Sequence, residues 1–114
     1  MKLAIIGSRS LETNNLQAYI PEGTTEIISG GAKGIDSCAR DFAIANKIKY
    51  TEFSPDYKRY GKAAPIIRNK SIADYADEVL AFWDEKSKGT KSVIDYCTKN
   101  NIVIRINTAE ETDK

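Results

Sequence analysis

Three short apolar runs in this chain end in turns rich in glycine and hydroxyl side chains. Leu3 to Ile6 runs into Gly7-Ser8-Arg9, Glu26 to Ser29 into Gly30-Gly31, and Glu78 to Trp83 into the polar turn Asp84 to Gly89. A short apolar run closed by turn residues is how a strand buried on both faces reads. Two further runs complete the set: Tyr50 to Phe53, stopped by Ser54-Pro55, and Ile102 to Ile106.

Helical patterns separate these runs. A first helix is expected around Leu11 to Tyr19, ended by Pro21 and Gly23. Ile35, Cys38, Ala39, Phe42 and Ala43 recur at i, i+3, i+4 spacing and predict an amphipathic helix to about Asn46. Asp56 to Lys62 reads as a polar, tyrosine-bearing loop. Pro65 suits the first turn of a helix through Ile66, Ile67, Ile72, Ala73 and Tyr75. Ser92, Val93, Tyr96 and Cys97 carry a fourth helix, with Asn100-Asn101 as its stop.

Five strands alternating with four helices predict a parallel sheet covered on both faces, an α/β/α three-layer arrangement. Right-handed crossovers leave few topologies, and the commonest has order 3-2-1-4-5, with a crevice between strands 1 and 4 where the winding reverses. With 114 residues the chain is long enough for one core. The domain is read as 1–107, followed by a polar tail over 108–114.

Composition removes whole classes of function. The chain has no histidine, which excludes Ser-His-Asp and Cys-His catalysis within it and deprives a zinc site of its usual ligand. No metal site is expected from its own side chains, although a nucleotide ligand would admit Mg²⁺. Cys38 and Cys97 fall in helical patterns and read as small core residues. Seventeen basic residues against sixteen acidic ones argue against binding driven mainly by nucleic-acid phosphates; the nearest basic cluster is Lys58, Arg59, Lys62, Arg68 and Lys70. The first apolar run is too short for a signal-peptide core, and no segment approaches the ~20 apolar residues of a membrane span, so a soluble, cytoplasmic protein is expected.

The chemistry gathers at the strand ends. All three glycine-bearing turns should lie at the carboxyl edge of the sheet, where helix N-termini offer free N–H groups and a positive dipole end to an anion. In the first turn Gly7 permits close backbone approach, Ser8 can donate to a phosphate oxygen and Arg9 can grip one bidentately. An ordinary strand-to-helix turn with a solvated arginine is the alternative. The second turn, Ser29-Gly30-Gly31-Ala32-Lys33-Gly34-Ile35-Asp36, lets successive N–H groups converge, while Asp36 either caps the helix or accepts from a ribose hydroxyl. It is neither a Walker sequence nor the usual dinucleotide fingerprint. In the third, Ser87, Gly89 and Thr90 form a phosphate cradle flanked by Lys86 and Lys88, or a helix cap with no ligand. Trp83 either stacks on a base or packs. Pro65 sets Arg68 and Asn69 near the same edge, where Arg68 holds a phosphate or is simply solvated.

In this order and spacing, Gly7-Ser8-Arg9, the Ser29 to Asp36 turn, Ile67-Arg68-Asn69-Lys70 and Trp83-Asp84 with Ser87-Lys88-Gly89-Thr90 resemble the SLOG superfamily. That superfamily joins the Rossmann domain of DNA-processing protein A to the "lonely guy" phosphoribohydrolases. Within it the chain looks most like the small stand-alone YspA-like, cpYpsA-related family, over Ile5 to Ile106. The resemblance implies a Rossmann-like fold and a nucleotide-derived ligand. The first two elements are similar to the DNA-processing branch. The last two are similar to the phosphoribohydrolase branch, where the arginine and a Pro-Gly-Gly-x-Gly-Thr loop bind a nucleoside monophosphate and a following glutamate does the glycosidic chemistry. Here Glu85-Lys86-Ser87 replaces the Pro-Gly-Gly opening, and Lys91-Ser92-Val93-Ile94 follows Gly89-Thr90 with no carboxylate before Asp95. The glutamate has no counterpart, so catalytic residues stay unassigned, with Arg68, Asp84 and Asp36 as candidates.

Three readings follow: a binding or sensor module for a nucleotide-derived ligand such as an ADP-ribose or NAD derivative; a nucleotide hydrolase of the N-glycosidase or phosphoribohydrolase kind; and a single-stranded DNA-binding domain. Related phosphoribohydrolases resemble dimers, which admits a homodimer here.

Overall fold

The computed structural model describes residues 1–13 and 15–108. Five strands, β1 (Lys2–Gly7), β2 (Glu26–Ser29), β3 (Lys49–Glu52), β4 (Glu78–Trp83) and β5 (Ile104–Thr108), form one sheet in the order β3-β2-β1-β4-β5. Every pairing is parallel. The architecture is the expected Rossmann-like α/β fold, and its winding reverses between β1 and β4.

Alternation along the strands decides what each face covers. Leu3, Ile5, Ile27, Leu80 and Phe82 point to one face and bury helix α1 (Ile35–Ala45) through Ile35, Ala39 and Ala43. Ala4, Ile6, Ile28, Val79 and Ala81 point to the other, under helices α3 (Ala64–Tyr75) and α4 (Lys88–Lys99), which contribute Ile72, Ala73, Val93 and Cys97. Gly7 lets α1 close onto the sheet: a Cβ there would lie 2.6 Å from the Ile35 side chain. Both cysteines are free thiols, Cys97 fully buried and Cys38 partly so.

The first crossover departs from the sequence reading. In place of a helix over Leu11 to Tyr19 there is one 3-10 turn, Leu16–Tyr19. Among the described residues of this stretch only Leu11 and Leu16 are buried, five residues apart rather than three or four. The Leu11 N–H donates back to the Ser8 carbonyl, and the Asn15 N–H donates to Thr13 Oγ1 (both 3.1 Å), so local side-chain bonding competes with the helix.

Two further expectations are corrected. Asp56 to Lys62 is not a plain loop: Asp56 accepts from the Arg59 N–H (3.2 Å) and caps a single turn, α2 (Tyr57–Tyr60), followed by a 3-10 turn, Gly61–Ala63. The last strand runs two residues beyond Ile106, with Thr108 paired to Trp83, so Thr108 belongs to the sheet. The rest of the expected tail, 109–114, lies outside the described residues. Among the described residues no helix is long and apolar enough to cross a membrane.

Candidate functional site

At the carboxyl edge, where β1 and β4 part, lies a crevice of about 430 Å³. It takes Gly7 from the end of β1 with Arg9 and Ser10 from the turn after it, and Ala32 from the turn after β2 with Asp36 from the first turn of α1. Asp84 and Ser87 come from the turn after β4, with Gly89 and Thr90 from the first turn of α4 (Lys88–Lys99). Arg68 and Asn69 of α3 add a polar wall, and Pro65 and Ile6 complete the lining. The three turns therefore open into one space, within the usual size range of small-molecule sites.

Bonding between the turns holds this edge together. The Ser8 N–H donates to the Phe82 carbonyl (3.0 Å), and Ser8 Oγ accepts from the Asp84 N–H (3.1 Å). Asp84 then organises its own turn: Oδ1 accepts from the N–H groups of Lys86 (2.9 Å) and Ser87 (2.7 Å), and Oδ2 from Ser10 Oγ (2.9 Å). The two N–H bonds, with smaller help from Ser10 and Ser8, hold its carboxyl down at about 2. A carboxylate that acidic is a weak base and carries no proton to give at neutral pH.

Helix α4 begins at Lys88, so Gly89 and Thr90 stand in its first turn. Ser87 Oγ caps it by accepting from the Thr90 N–H (3.4 Å), which leaves the Lys88 and Gly89 N–H groups free of protein acceptors among the described residues. Trp83 Nε1 donates to the Ser87 carbonyl (3.1 Å); the indole braces this turn and does not line the crevice. The start of α1 also faces the crevice through Asp36. The positive end of α4 thus borders the space with N–H groups free, whereas that of α1 already carries the Asp36 carboxylate.

Asp36 does not cap α1. Its Oδ2 accepts from the Ala32 N–H (3.1 Å), which fastens the glycine turn onto the helix. Burial is the largest influence on it and raises its pKa, against the pull of the Ala32 bond and the Arg68 charge. Gly34, at φ +74°, lets the turn enter α1 beside the preceding chain; a Cβ there would meet the Arg9 carbonyl oxygen at 2.6 Å.

Arg68 is half-buried and positioned from two sides. Its Nη1 donates to the carbonyls of Gly30 (2.7 Å) and Phe53 (3.2 Å), and its Nε donates to Asn69 Oδ1 (2.7 Å). Nη2 has no acceptor among the described residues. Burial lowers the guanidinium's pKa, yet arginine stays charged. Arg9, by contrast, is exposed at the rim.

Of the residues singled out from sequence, Gly7, Arg9, Asp36, Arg68, Asn69, Asp84, Ser87, Gly89 and Thr90 line the crevice. Ser8, Ser29, Gly30, Gly31 and Gly34 do not; Ser8, Ser29, Gly30 and Gly34 are buried behind it, and Gly31 is exposed beside Glu52. Ser29 is fully buried, with its hydroxyl 2.6 Å from that of Tyr50. Sequence reasoning missed Ile6, Ser10, Ala32 and Pro65 as lining residues. Proximity to Gly-Ser could have pointed to Ser10, but its partner Asp84 lies 74 residues away.

Among the described residues no group of three or more carboxylate, cysteine or histidine side chains stands together to hold a metal ion. No family model matches the chain, and neither the curated proteins nor the solved structures compared with it give a match.

Proposed function

We propose that this chain is a binding module of the SLOG, YspA-like kind for a nucleotide-derived, phosphate-bearing ligand, such as a nucleoside phosphate or an ADP-ribose or NAD derivative. The observation that carries the reading is the convergence of Arg9, the free edge of Arg68 and the N-terminus of α4 on one crevice. Each element favours an anion, and the half-buried guanidinium acts where water screens it less. Phosphate oxygens meet the Gly89 and Lys88 N–H groups and Arg68 Nη2, while Arg9 closes from the rim. Any Mg²⁺ enters on the ligand's phosphates.

Thermal denaturation against a panel of nucleotides tests this. A true ligand at a hundred times its dissociation constant adds roughly 2.7 kcal/mol of stability. Arg9→Ala, which removes an exposed side chain, should weaken that shift without lowering the melting temperature of the free protein. No shift with any member of the panel overturns the proposal.

One observation favours a hydrolase as the second reading. Asp36 is a buried carboxylate with a raised pKa on the crevice wall near Arg68, as a general acid or base requires. Asp84 does not suit that role. Cleavage of a nucleoside monophosphate that is lost in Asp36→Asn but kept in Asp84→Asn supports the hydrolase; no product with the wild type dismisses it. The near-neutral charge gives single-stranded DNA no comparable support.

A further inference from the structure

Arg68 also lines a second, smaller cavity of about 160 Å³, together with Phe53, Ser54, Asp56, Tyr60 and α3 residues that include Ala64 and Ile67. Arg68 is the one residue common to the walls of the two cavities. We propose that this side pocket seats the heteroaromatic base of the ligand whose phosphate occupies the crevice, so that the site takes nucleotides in preference to sugar phosphates. The inference rests on the crevice being an anion site.

Size, surface and hydrogen bonding all bear on the occupant. A cavity of about 150 Å³ is enough to hold a benzene ring, so this one takes a six-membered ring. A pyrimidine fits, and a purine's second ring overhangs the open mouth. The walls are mostly apolar and include two rings. Phe53 is partly buried against Tyr75, with centroids 5.5 Å apart. Tyr60 is 39% exposed, and its hydroxyl makes no hydrogen bond among the described residues. The Arg59 guanidinium stands over its ring, 5.4 Å from the centre. No hydrogen bond locks the Tyr60 side chain among the described residues, so a base can stack on the ring by joining or displacing that guanidinium. Asp56 uses Oδ1 on the Arg59 N–H, and its Oδ2, with no donor among the described residues, can accept from a base's amino group.

Calorimetric titrations of the intact protein with CMP, AMP and ribose 5-phosphate test the inference. Stacking and the extra contacts should make at least one nucleotide bind about tenfold or more tightly than ribose 5-phosphate. Tyr60→Ala should erase that advantage and leave ribose 5-phosphate affinity unchanged; Tyr60→Phe, which keeps the ring, should retain it. Equal affinities for all three ligands, or a nucleotide advantage that survives Tyr60→Ala, overturn the base pocket and leave the anion crevice standing. Binding of none of the three, and of no ADP-ribose in a parallel titration, overturns both.

Discussion

Arg68 lies flat against Gly30, with Nη1 bonded to the Gly30 carbonyl at 2.7 Å, and a Cβ on residue 30 would sit 2.5 Å from that same nitrogen. The glycine turn after β2 therefore shapes the site indirectly, as the bed on which a guanidinium from α3 is laid. Gly30→Ala should displace Arg68, which is the movable end of a flexible side chain. Loss of that charged hydrogen bond should lower stability by about 1–3 kcal/mol. Affinity for any phosphate ligand should fall with it. Denaturant unfolding and titration of the same variant check both effects.

Gly89 offers the opposite contrast. It stands in the first turn of α4 on the crevice wall, and a Cβ there would meet nothing within 4 Å. Nothing in the protein itself requires glycine at this position. Gly89→Ala should stabilise the free protein by about 0.4–1 kcal/mol, by restricting the unfolded chain. If the space is kept for a ligand, the same methyl weakens binding. A rise in melting temperature paired with a loss of affinity is the expected result; unchanged affinity would separate Gly89 from the site.

Asp36 and Asp84 should respond to pH in opposite senses. The Asp84 pKa is depressed to about 2 from 3.8, so its contribution to stability is present above about pH 4 and lost as pH falls toward 2. Asp84→Asn should flatten that acid limb. The Asp36 pKa is raised, so its protonated form suits the folded state and its charged form strains it as pH rises through the folded value. Asp36→Asn should thus gain most over the wild type at neutral pH, with the gain shrinking towards pH 4. Unfolding curves across pH 2–7 for the two variants check both signs.

The thiols provide a check on packing. Burial pushes the Cys97 thiol up to about 11, and its side chain has no exposed surface, whereas Cys38 is partly open. A disulfide reagent should label one cysteine in the folded protein and two after denaturation. Rapid labelling of both under native conditions would contradict the packing of α4 on the sheet.

Legibility in the sequence followed the range of the interactions. Runs such as Leu3 to Ile6 and Glu78 to Trp83 announced the strands because both of their faces are buried, and the sheet order followed from right-handed crossovers. The helix expected over Leu11 to Tyr19 does not form, because its two buried leucines stand five residues apart and the Asn15 N–H bonds locally to Thr13. Glycine turns pointed to the right edge of the sheet, but not to which residues face in. Ser8 and Ser29 turned out to bond within the wall, through partners distant in sequence. The contrast between Asp36 and Asp84 was likewise invisible, since it depends on burial in one case and on two N–H donors in the other.

Ligand binding by this chain depends on an anion landing in the crevice. The most direct measurement is amide chemical-shift mapping of the isotope-labelled protein titrated with AMP. It should perturb Gly7, Arg9, Ala32, Asp36, Gly89 and Thr90 together, saturating with one dissociation constant that Arg9→Ala raises. Saturable shifts confined to another face, or none at millimolar AMP and at millimolar ADP-ribose alike, would contradict it.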